Sequence, residues 1–92
     1  MKPIRWNAEK SLSLKAQRGV SFEEIVAATS QGGLLKVMEH PNRARYEHQK
    51  MLVVRIREYA YLVPYVESDN EIFLKSIIPS RKATRNFLTG EK

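Results

Sequence analysis

Cysteine is absent from this chain of 92 residues, which excludes disulfides, thiolate nucleophiles and thiolate zinc sites and agrees with a reducing compartment. No apolar run approaches the roughly 18 residues of a membrane-spanning helix, and Met1-Lys2-Pro3-Ile4-Arg5-Trp6 lacks the apolar core of a signal peptide. A cytoplasmic protein without a membrane partner is therefore expected. Histidine is sparse too: His40 and His48 stand eight apart with no carboxylate cluster beside them, so neither a metal nor another cofactor is expected. The pair Gly32-Gly33 lacks the spacing and the following Lys-Ser/Thr of a phosphate loop, and no nucleophile elbow occurs. With no linker, low-complexity tract or internal repeat, residues 1–92 read as a single domain.

What is present is charge of one sign, unevenly placed. Hydrophobic residues make up 42% and charged residues 28%, as in an ordered globular chain, and the net charge is +6. From Lys75 onward, Lys75, Arg81, Lys82, Arg85 and Lys92 stand against Glu91 alone. Between His40 and Lys50, Arg43, Arg45 and Lys50 stand against Glu47, and the remaining charges cancel. An excess confined to two segments predicts a basic patch, and the natural counterpart of a patch is phosphate.

The coarse order of elements is strand, helix, helix, four strands, helix, an α+β fold. Ile4-Arg5-Trp6 is a short strand, and Asn7 caps a helix that ends at Arg18-Gly19. Ala8, Leu12 and Ala16 form its thin apolar stripe, with Trp6 expected to help bury it. Ser21-Phe22-Glu23-Glu24 is a capping box, and Phe22, Ile25, Val26 and Thr29 follow at helical spacing until Gln31-Gly32-Gly33. The period then becomes that of strands: Leu34–Glu39, Met51–Arg57 and Tyr59–Val66, the last placed at an edge or bulged at Pro64. After the polar turn at Glu67-Ser68-Asp69-Asn70, Ile72-Phe73-Leu74 and Ile77-Ile78 read as one buried strand ended by Pro79-Ser80. Ser80 caps a last helix with Arg81, Lys82 and Arg85 on one side, Thr84, Phe87 and Leu88 turned inward, and Gly90 as its stop.

His40, Tyr46 and His48 interleave with Arg43, Arg45 and Lys50, and this mixture suits one cofactor-free reaction. RNA carries its own nucleophile, the 2′-OH. Cleavage needs a group to accept its proton, cations to stabilise charge on the phosphate and an acid for the leaving oxygen. His40, Tyr46 and His48 are the candidates for proton transfer and Arg81 for charge stabilisation, with Arg43, Arg45, Lys50, Lys75, Lys82 and Arg85 as RNA-binding residues. The first-turn position of Arg81 is opposed by the helix dipole, which favours an anionic partner there. The residues alone leave other readings open: a solvated basic face, an RNA-binding module that does not cut, or a domain that docks an acidic protein.

The segment IRWNAEKSLSLKAQRGVSFEE at Ile4–Glu24, joined to IIPSRKAT at Ile77–Thr84, resembles the BrnT family of type II toxins, ribonucleases related to the RelE-like superfamily. Gly-Val-Ser-Phe-Glu-Glu and Ser-Arg-Lys-Ala-Thr are its specific parts, and it spans nearly the whole chain in order. The resemblance implies a RelE-like, mostly antiparallel sheet with helices packed on one face. It also implies metal-independent RNA cleavage and inhibition by a cognate antitoxin encoded next to the toxin, with a homodimer or a heterotetramer with antitoxin as the assemblies. It places the family's basic helix start at Ser80-Arg81-Lys82-Ala83-Thr84 and leaves the general base unassigned.

Overall fold

The computed structural model describes residues 2–39 and 49–88. Its elements are β1 (Ile4–Arg5), α1 (Ala8–Arg18), α2 (Phe22–Ser30), β2 (Leu34–Glu39), β3 (Gln49–Ile56), β4 (Tyr59–Glu67), β5 (Ile72–Leu74), β6 (Ile78–Pro79) and α3 (Arg81–Phe87). The sheet runs β1-β5-β4-β3-β2, with β6 beside β4. Only β1 and β5 pair in parallel, so the fold is α+β with a mixed, mostly antiparallel sheet.

Local chemistry sets the helix ends. Asn7 accepts a hydrogen bond from the Lys10 amide, and Gly19 takes the left-handed conformation at φ 77° that closes α1. Ser21 and Glu24 form the reciprocal capping box at the start of α2. The buried side of α1 differs from the expected stripe, however. Ser11 and Leu14 are buried, whereas Leu12 is 74% exposed and Ala8 and Ala16 face solvent. The reason is polar: the Ser11 hydroxyl accepts from the Phe22 amide at 3.0 Å and donates to Glu23 at 2.7 Å, which turns that side of α1 onto α2. Half-buried Trp6 does pack against the core, 6.2 Å from Phe22 between ring centroids.

Alternation along the strands divides the apolar side chains between two faces. Val54, Ile56, Tyr61, Val63, Tyr65 and Leu74 join Leu14, Phe22 and Ile25 in the main core beneath α1 and α2. Val53 and Ala60 instead meet Ala83 of α3, with Leu35, Met38, Leu62 and Leu88 around them. The helices therefore lie on both faces, two on one and α3 on the other, which corrects the expectation of a single helical face.

Pro64 also departs from expectation. β4 has strands on both sides, and Pro64 pairs with Met51. Its carbonyl accepts from the Lys75 amide at 2.8 Å, and a residue's nitrogen and carbonyl point to the same side of a strand, so the missing N–H faces the interval between β5 and β6. There Lys75, Ser76 and Ile77 leave the ladder, splitting the single strand read from sequence into two. Ile77 is fully buried, and the Arg18 guanidinium donates to its carbonyl.

Candidate nucleic-acid interface

The cations of α3 are positioned by a short polar anchor. The Ser80 amide donates to the Ala60 carbonyl at 3.1 Å, while the Ala60 amide donates to Thr84 Oγ1 at 2.9 Å. That hydroxyl donates in turn to the Ser80 carbonyl at 2.8 Å, and Ser80 Oγ caps the Ala83 amide at 3.0 Å. Ala83 is thus pinned on the sheet, and Arg81, Lys82 and Arg85 stand exposed around it. Thr84 and Leu88 turn inward as expected; Phe87 does not, remaining 39% exposed.

Strand register brings further cations to the same face. Arg55 is paired with Ala60, the residue to which α3 is anchored, and Lys36 is paired with Val53; both are exposed. Phe73 is opposite Val66 and so shares this face, with the Lys75 ammonium 5.5 Å from its ring centroid. Most strand and helix acids are elsewhere. Glu9, Glu23 and Glu24 belong to α1 and α2, and Glu39 and Glu67 fall on the sheet face that those helices cover. Among the described residues, alternation places Glu71 on the α3 face, 3.2 Å from Arg5, and Glu58 and Asp69 lie in the connections after β3 and β4.

Lys50 does not join this group. Its register partner is Tyr65, on the main core face, and its ammonium is 3.9 Å from Glu67. Glu67 is also bound by Lys2 at 2.8 Å; that hydrogen bond, then the charges of Lys2 and Lys50, holds its carboxyl below the usual range. Neighbouring Tyr65 has its phenol pushed up by burial and then by the charge of Glu67. His40, Arg43, Arg45, Tyr46 and His48 lie outside the described residues, as does Gly90.

The arginines missed by sequence reasoning are Arg55 and Arg57. Segment totals hid them because nearby carboxylates cancel their charge; the signal that could have found Arg55 was its odd position in the Met51–Arg57 alternation. Among the described residues, no group of histidines and carboxylates could hold a metal ion, and no helix is long and apolar enough to cross a membrane. No family model, no curated protein and no solved structure matches the chain.

Proposed function

We propose that this protein binds RNA on the α3 face and acts there as the toxin of a type II toxin–antitoxin system, a metal-independent endoribonuclease of the mRNA interferase type. One observation carries the RNA reading: Lys36, Arg55, Lys75, Arg81 and Lys82 share a face on which strand alternation places one acid among the described residues, the Arg5-paired Glu71, with Glu58 and Asp69 in the connections after β3 and β4. Such segregation concentrates a polyanion and makes binding strongly dependent on salt. The cutting step rests on the resemblance and on residue chemistry. In it the 2′-OH attacks the adjacent phosphorus, His40, Tyr46 or His48 accepts and returns protons, and Arg81 stabilises the phosphorane charge. The products are a cyclic phosphate and a free 5′-OH.

Purified protein incubated with mixed-sequence RNA should cut it equally with and without EDTA. Arg81→Ala should slow cutting about 100-fold, the scale of losing one preorganised charge stabiliser. RNA that is bound in a salt-sensitive manner but left whole by well-folded protein would replace the toxin reading with a non-catalytic RNA-binding module. A second observation supports the antitoxin part of the proposal. A mostly apolar groove of about 460 Å3 lies between α2 and β2, lined by Ile25, Val26, Leu34, Val37 and Leu52. Leu34 and Val37 are 43% and 48% exposed, as a surface covered by a partner chain would leave them when free.

A further inference from the structure

A second cavity, of about 410 Å3, opens where the end of α2 meets the β3–β4 turn, lined by Glu24, Ala28, Gly32, Gly33, Arg55 and Arg57 among others. Of its two guanidiniums, Arg57 makes one long ion pair and Arg55 makes none among the described residues. The last turn of α2 already closes on itself, with Gln31 and Gly33 donating to the Ala28 carbonyl at 3.1 and 2.7 Å and Gly32 to Thr29 at 3.4 Å. No arginine is needed to cap it. Glu24 gives its Oε2 to Lys15 at 2.7 Å and to the Ser21 amide at 3.0 Å, while its Oε1 makes an ion pair of 3.8 Å with Arg57, whose side chain is 68% exposed. Arg55 spends its Nε on the Arg57 carbonyl at 3.0 Å and lines the cavity, its two terminal nitrogens being left for another acceptor.

Backbone strain marks the same spot. Arg57 adopts φ 58°, the one positive value at a non-glycine among the described residues. It is the first residue of a two-residue hairpin between the paired Ile56 and Tyr59, a position that glycine fills without strain. An arginine kept there despite the strain points to a use for its side chain. α2 lies on the sheet face opposite α3, but Arg55 is paired with Ala60, where α3 is anchored, so one residue of the cavity lining belongs to the cationic face.

We infer that this cavity is a phosphate subsite in which Arg55 and Arg57 grip one phosphate group of the polyanion lying across the α3 face. Guanidinium forks match phosphate oxygens in pairs, and the neighbouring cations favour a ligand with several phosphates over a lone carboxylate. The identity of that polyanion as RNA rests on the function proposed above; the subsite itself does not.

The test uses the full chain and two probes. Inorganic phosphate titrated into 15N-labelled protein should give saturable shifts at the Gly32, Gly33 and Arg57 amides, and these should vanish in the Arg55→Gln/Arg57→Gln double variant. A short single-stranded oligoribonucleotide should bind that variant roughly tenfold or more weakly, with the slope of log K against log salt shallower by about 0.7. Arg57→Gly separates binding from folding: it should raise the melting temperature while weakening phosphate binding. Absence of shifts in the wild type, or RNA binding unchanged in the double variant, would overturn the subsite. Phosphate uptake by a wild-type chain that binds no RNA would keep the subsite and remove the RNA reading.

Discussion

Ser11 shows how a single polar atom directs packing. Its hydroxyl serves the Phe22 amide and the Glu23 carboxylate, and its side chain is only 2% exposed. Ser11→Ala would leave a buried N–H without a partner and should cost about 1–3 kcal/mol in urea unfolding. The same hydroxyl is the main reason that the Glu23 carboxyl sits below 4.5, and Lys15 is the main reason for Glu24. Both folded-state values are depressed, so the stability they contribute is present above the ordinary carboxylate range and lost as pH falls through the folded values. Acid titration of the melting temperature should accordingly show a smaller loss below pH 4.5 in Ser11→Ala than in the wild type. Gly33 is constrained differently. A Cβ there would stand 2.8 Å from both the Ala28 and Arg55 carbonyl oxygens, so Gly33→Ala should lower stability by about 1–3 kcal/mol. The sequence marked Gly33 only as a helix stop, because the approach of β3 is a tertiary fact.

Helix and strand ends were legible in the chain because they are local. Asn7, Ser21 and Ser80 each accept from an amide three residues on, as their positions before periodic segments imply. Which side of a helix is buried was less legible. The α1 stripe of Ala8, Leu12 and Ala16 gave way to Ser11 and Leu14, since the hydrogen bonds to α2 outweigh a few exposed methyl groups. α3 depends on such a contact as well. Thr84→Val keeps the shape of the side chain but leaves the Ala60 amide unpaired, and should cost about 1–3 kcal/mol. Because that bond anchors the helix start to β4, amide exchange across Arg81–Phe87 should accelerate more than exchange in α2. An exchange pattern that changes equally in both helices would show that the anchor is not local to α3.

Among the described residues charge is separated by face, and this is where Lys50 parts from Lys75 and the α3 cations. Lys50 is turned to the main core face beside Glu67, whereas Lys75 and the α3 cations share the other face with Lys36 and Arg55. Charge reversal should therefore have a sidedness: Lys82→Glu and Lys36→Glu should each weaken RNA binding severalfold and flatten its salt dependence, with Lys50→Glu having much less effect. Equal losses from all three in a filter-binding titration would mean that a diffuse net charge, rather than one face, attracts the polyanion. The amino-acid order by itself determined the α+β class, the order of elements as far as β5 and the capping residues, because each depends on neighbours within a few positions. Tertiary structure decided that α3 crosses to the opposite face, that Pro64 lies inside the sheet, and that Arg55 rather than Lys50 adjoins the helix cations. The physical reason is register: a strand shows its residues to alternate faces, and which face receives which helix is fixed only when distant strands pair.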